Sequence, residues 1–139
     1  IIAEFEMGDA ERVGVAVHQG DETDGTRILF NSRFSQLVVN RTNRLNDTPI
    51  HNEFNPAFGS PITLDNNLLR LHIFVDESSV EVFANDGNVV ITSQTFVDPA
   101  ADSVSLFAEN GEATLRHMEI YALQSIWNSQ ASVDYDFCR

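Results

Sequence analysis

The chain has 139 residues and a net charge of −13, from 21 acidic side chains against eight basic ones, all of them arginine. The length fits one domain of about 100–150 residues, and 42% hydrophobic content with ten Phe supplies a core, which excludes wholesale disorder. The acidity argues against nucleic acid or an anionic membrane surface as partner, and no run approaches the roughly 18 apolar residues of a membrane span.

The opening run Ile1-Ile2-Ala3-Glu4-Phe5-Glu6 has neither an initiator Met nor a basic leader, so the chain reads as a piece of something longer. From there, turn residues recur about every 8–12 positions, the rhythm of an all-β sandwich or barrel. Residues 4–7 form the first predicted strand. Residues 13–18 alternate Val13, Val15 and Val17 against Gly14, Ala16 and His18, the period of two of a half-buried strand. Residues 20–25 make an acidic polar turn, and strands follow at 27–31 and 36–40. The stretch 41–61 is rich in Asn and Pro and shows no clear strand.

The second half is more regular. Leu69, Leu71, Ile73 and Val75 share one face, with Arg70, His72 and Phe74 on the other. A turn at 76–79 returns the chain through a strand at 80–83. Asn85-Asp86-Gly87 is a hairpin signal, because Gly accepts the positive φ of tight hairpins. Strands are expected at 89–96 and 104–108. Asn110-Gly111 is a second hairpin signal, leading into a last strand at 113–123. The predicted fold is all-β, a two-sheet antiparallel β-sandwich of the lectin-like jelly-roll kind, over residues 1–127. A polar tail occupies 128–139. The expected inward positions are Leu69, Leu71, Ile73, Val75, Val80, Val82, Val89, Ile91, Val104, Leu106 and Leu115. Val90 and Phe96 compete with Val89 and Ile91 for the inner face of 89–96.

Residues 69–96 contain Phe74-Val75-Asp76, then Ser78-Ser79-Val80-Glu81-Val82-Phe83, then Asn85-Asp86-Gly87. This run closely resembles the hallmark of the C-terminal β-sandwich module of glycoside hydrolase family 32, the invertases, inulinases and levanases. Ser105-Leu106-Phe107-Ala108-Glu109, Ala113-Thr114-Leu115 and Ser125-Ile126-Trp127 resemble its closing segments, and Ala3-Glu4-Phe5-Glu6 and Asn40-Arg41-Thr42 match the opening ones more loosely. The resemblance covers about residues 1–127. It implies a two-module parent: a five-bladed propeller cleaves β-fructofuranosyl bonds with retention, using paired carboxylates, and the sandwich follows it. The implied partners are that propeller within the same chain and, in some relatives, a second copy in a homodimer. Sucrose or fructan is met only indirectly. Secretion is the implied location.

The family's three catalytic motifs are not met. Its nucleophile lies in Asn-Asp-Pro-Asn, but here Asn46-Asp47 precedes Thr48. Its stabiliser lies in Arg-Asp-Pro, but Val97 precedes Asp98-Pro99. Its acid lies in Glu-Cys, but Phe137 precedes Cys138, the one cysteine. No catalytic residue is therefore expected in this chain. Glu77 and Glu81 flank a turn and read as surface carboxylates rather than an acid/base pair. His18, His51, His72 and His117 are scattered without metal-ligand spacing, and the loop 20–25 lacks EF-hand spacing, so neither a metal nor another cofactor is expected. Trp127 and Tyr121 are the weak candidates for a sugar platform, Tyr135 lying further along, although packing at the end of the fold suits them better. Asn40 and Asn46 head N-glycosylation sequons. Cys138 reads as a spare thiol or an intermolecular bridge. The lysine-free, acidic composition fits a salt-adapted or acid-environment host. A free-standing carbohydrate-binding module is the alternative reading, because such sandwiches host many functions.

Overall fold

The computed structural model describes residues 1–20, 25–41, 44–45, 48–49, 57–98 and 100–124. No helix occurs among them. The chain runs through β1 (Ile2–Met7), β2 (Arg12–Gln19), β3 (Thr26–Asn31) and β4 (Gln36–Arg41). The two-residue strands β5 (Arg44–Leu45) and β6 (Thr48–Pro49) pair with each other, and β7 (Ala57–Pro61) follows. Then come β8 (Leu68–Asp76), β9 (Ser79–Ala84), β10 (Val89–Gln94), β11 (Ser103–Glu109) and β12 (Ala113–Glu119). They build two five-stranded sheets, β10-β9-β8-β1-β12 and β11-β2-β3-β4-β7, in which every pairing is antiparallel.

The core lies between the sheets. Phe5, Val13, Val15, Val17, Ile28, Phe30, Leu37 and Val39 from the first half meet Leu69, Leu71, Ile73, Val80, Val82 and Ile91 from the second. The alternation in β8 is complete: Leu69, Leu71 and Ile73 are buried while Arg70, His72 and Phe74 are exposed. Each full burial of such an aliphatic side chain contributes about 1.5–3 kcal/mol. Ile91 opposite Val82 settles the face of β10, leaving Val90 outside. Val75 and Val89 are only partly buried against this core.

Four expectations fail, each for a structural reason. Val104, Leu106 and Leu115 are 38%, 38% and 42% exposed rather than buried. Leu106 stands opposite Val15 and Leu115 opposite Phe5, so both lie on the inner side of their sheets. Yet β11 and β12 are outermost strands, and no further described strand flanks them. The stretch 41–61 does contain strands, β5, β6 and β7. β7 reads Ala-Phe-Gly-Ser-Pro and has no β-branched residue, and its Pro61 fits an edge strand. β12 stops at Glu119 rather than at residue 123.

The fourth failure is the Asn110-Gly111 corner. It joins strands of different sheets, because β11 pairs with β2 while β12 pairs with β1. It is tied to the 8–10 segment rather than to itself. The Glu112 amide donates to Asp9 Oδ1 at 2.8 Å, and the Ala10 amide donates to the Glu112 carbonyl at 3.2 Å. By contrast, Asn85-Asp86-Gly87 makes the expected hairpin, with φ of 46°, 59° and 82°.

Candidate functional site

At one end of the sandwich, β2, β8 and β12 finish while β9 and β11 begin. A groove of about 1170 Å³ opens there, lined from both sheets and from the outer face of β8 and β9. His18 lies at its floor. By strict alternation His18 would leave β2 on the outer side with Gly14 and Ala16. Between the pairs Ala16–Ser105 and Gln19–Ser103, however, β2 spends one residue more than β11. His18 adopts φ 53° in this irregularity, and such a bulge re-aims a side chain. The ring is 8% exposed and its Nε2–H donates to the Asp76 carbonyl, on the opposite sheet, at 3.0 Å. That bond fixes the tautomer and leaves Nδ1 buried without a partner. Burial therefore pushes the His18 pKa down, partly offset by the bond to Asp76.

Around this floor the lining is of two kinds. Phe74, Val104, Ile120, Tyr121 and Leu123 are large apolar side chains that remain exposed. Asp76, Glu77, Glu81, Asp98 and Asp102 supply five carboxylates, and no arginine lines the groove among the described residues. Two of the carboxylates hold turns. Asp76 Oδ1 accepts from the Glu77 amide at 2.8 Å, and Asp98 Oδ1 accepts from the Ala100 amide at 2.9 Å. Glu81 is exposed, facing away from buried Val80 and Val82 as its strand position predicts. On the outer sheet face beside it, His72 stacks near Phe74 with centroids 4.5 Å apart, and Phe74 meets Phe83 edge-on at 6.0 Å.

Of the other expected positions, Tyr121 shares the groove, while His117 and Asn40 lie away from it. Tyr121 is exposed, and its hydroxyl donates to the Glu119 carboxylate, which raises the tyrosine pKa and lowers that of Glu119. His117 contacts Glu119 at 3.1 Å on β12. Asn40 is exposed on β4, directly opposite Ala57 of β7. Asn46, Asp47, His51, Trp127, Tyr135 and Cys138, and most of the 20–25 loop, lie outside the described residues. No cluster of three or more His, Cys, Asp or Glu among the described residues has the geometry to hold a metal. Away from the groove, Glu109 bridges Arg27 and Arg12, with Arg27 also 4.0 Å above the Phe107 ring. The hydrogen bond from Arg27 holds the Glu109 carboxyl below its usual range.

The sequence singled out His18, His72, Glu77, Glu81, Asp98 and Tyr121 one by one, and the structure brings them together along the groove; that these ends of distant strands meet was not visible in the sequence.

The fold and groove define a two-sheet antiparallel β-sandwich domain whose most distinctive surface lies at the end of the sheets. Residues 1–122 match the family described as glycosyl hydrolases family 32 C terminal, and the chain belongs to that family as its C-terminal domain. It is 37% identical to the levanase of Bacillus subtilis over 136 residues, covering 93% of this chain and 19% of that protein. It is 31% identical to the extracellular exo-inulinase of Aspergillus awamori over 107 residues, covering 76% of this chain and 20% of that protein. The crystal structure of that exo-inulinase superposes with a TM-score of 0.69 at 25% identity, over 79% of this chain and 22% of the other. The chain thus spans about a fifth of the length of the relatives it matches.

Proposed function

We propose that this chain is a non-catalytic accessory module, spanning residues 1–127, that stabilises the catalytic module of a β-fructofuranosidase acting on sucrose or fructan. One observation carries this reading: the chain corresponds to a C-terminal domain that makes up 19% of the B. subtilis levanase. The behaviour of its own carboxylates supports it. Asp98 and Asp76 are engaged in turns, and Glu81 is an exposed strand residue. Two carboxyl groups flanking one sugar bond are what retaining chemistry needs, and the family's motifs for them are not met at Asp47, Asp98 or Cys138. A homodimer contact, and secretion in line with the extracellular exo-inulinases, belong to the same reading.

The test is fructose release from sucrose, inulin and levan. The purified chain alone is expected to release none. The full-length parent is expected to lose thermal stability when the chain is deleted. Turnover by the chain alone would sink the proposal. The second reading, a free-standing carbohydrate-binding module, draws on the exposed rings of Tyr121 and Phe74 beside acceptor carboxylates. Titration calorimetry with levan and inulin separates the two, saturable heat at millimolar ligand favouring the second.

A further inference from the structure

We propose that the end of the core beside His18 is an internal binding site for water, in which about two molecules are held between the sheets by the hydroxyls of Thr26, Ser93 and Thr95 and by His18 Nδ1. The site lies inside the sandwich, behind the groove. Thr26, Ser93 and Thr95 do not line the groove, and the inference does not depend on what the groove or the module does.

Three observations point there. First, the buried side-chain oxygens without a hydrogen-bond partner, among the described residues, are Thr26 Oγ1, Ser93 Oγ and Thr95 Oγ1. Their residues are 0%, 3% and 2% exposed. His18 Nδ1 is in the same condition. Native folds satisfy nearly all such groups, and use water where protein atoms do not reach. Second, the four groups fall on one ring. Val17, beside His18, stands opposite Thr26, and Thr26 stands opposite Arg41. Arg41 Nη1 donates to the Gln94 carbonyl, and Gln94 lies between Ser93 and Thr95. The Thr95 amide donates to the Ser78 carbonyl at 2.8 Å. Two residues before Ser78, the Asp76 carbonyl accepts from His18 Nε2 at 3.0 Å. The ring passes from one sheet to the other through His18 and through Arg41, so hydrogen bonds close this end of the core. Thr26 shares the inner side of β3 with Ile28 and Phe30, and Ser93 and Thr95 continue the inner row of Ile91. Sheets of a sandwich lie about 10 Å apart. Three short side chains leave space at this end that longer aliphatic ones fill further in.

Third, the donors and acceptors select the ligand. His18 Nε2 carries the proton toward Asp76, so Nδ1 offers a lone pair, which calls for a donor and disfavours an anion. The Arg41 guanidinium, next to Thr26 in the register, disfavours a cation. The hydroxyls both donate and accept. Water does both, is neutral and is small. A buried water typically makes about three hydrogen bonds, so about two molecules serve these four groups and each other.

The test has two arms. A crystal structure of the full-length parent that resolves ordered solvent should show water within hydrogen-bond distance of Thr26 Oγ1, Ser93 Oγ or Thr95 Oγ1. Thr26→Val and Thr95→Val then keep the side-chain shape and remove the hydroxyl. Each should lower the melting temperature of the purified chain by about 3–5 °C. The parent replaces the chain if the chain alone gives no cooperative transition. Thr92→Val, exposed on the outer side of the same strand as Ser93, is the control and should shift melting by no more than about 2 °C. A rise in melting temperature in both variants would mean that the hydroxyls are dry and merely costly, and the proposal falls. It falls equally if the density at these oxygens is a protein side chain or an ion, whichever way melting moves. Thr26→Ser, which keeps the hydroxyl, should keep the water in its crystal structure; this arm stands should the valine variants fail to fold.

Discussion

The two ends of the sandwich are built differently. At the closed end, the Asn110-Gly111 corner is tied to the 8–10 segment, and backbone meets backbone with no room for a side chain. At the open end, His18 makes a cross-sheet bond at the floor of a groove lined with exposed apolar groups. A fold needs its interior and corners closed for stability, while a surface that receives a partner has to be left open. The closed end and the middle should therefore carry the stability, and the open end should carry contact with other surfaces.

The largest effect is expected in the closed middle. Leu71→Ala, at a residue 1% exposed between the sheets, should lower unfolding free energy by about 2–5 kcal/mol in chemical denaturation. A loss under 1 kcal/mol would mean that the sheets are not packed as described. Next come the two corners. A Cβ at Gly111 would sit 2.6 Å from the Asp9 carbonyl, in addition to a φ of 140°. A Cβ at Gly87, φ 82°, would meet nothing within 4 Å. Gly111→Ala should therefore cost about 2–4 kcal/mol, and Gly87→Ala about 1–2 kcal/mol, the left-handed penalty alone. Equal losses would contradict the difference drawn between a cross-sheet corner and an ordinary hairpin.

Acid should loosen the open end. In the unfolded chain His18 titrates near about 6.5, whereas in the fold burial lowers its pKa. Between the two values the unfolded state binds more protons, so stability falls as pH drops from neutrality through that window. His18→Phe should flatten this part of the profile, and an unchanged profile would place the acid sensitivity elsewhere. Below the usual carboxylate range Glu109, held down by Arg27, adds a further loss in the same direction. The smallest effect is expected at the groove wall. Leu123→Ser should change the stability of the chain by no more than about 0.5 kcal/mol, and a larger loss would make Leu123 part of the core.

Much of the fold was legible because a period of two reports burial directly. β8 and β9 could be read residue by residue, and the 85–87 hairpin by its Gly, whereas β2, expected to be half-buried, is buried on both faces from Val13 to His18 because it lies between β11 and β3. β7 was not legible, since an edge strand paired on one side needs little β propensity. Nor was the role of Asn110-Gly111. A positive φ marks a tight reversal, but whether the returning strand pairs with its predecessor or crosses to the other sheet depends on partners about a hundred residues away.

By itself, the sequence determined the all-β class, the register of burial in β8 and β9 and the family, because these follow from local alternation and from one contiguous run at 69–96. Only the tertiary structure decided that Leu106 and Leu115 stay partly open, that a bulge turns His18 toward the opposite sheet, and that Phe74, Val104, Tyr121 and Leu123 share one groove. The physical reason is that exposure at an edge and convergence at the end of a sandwich depend on which strands lack neighbours. Strand order sets that, and local pattern does not encode it.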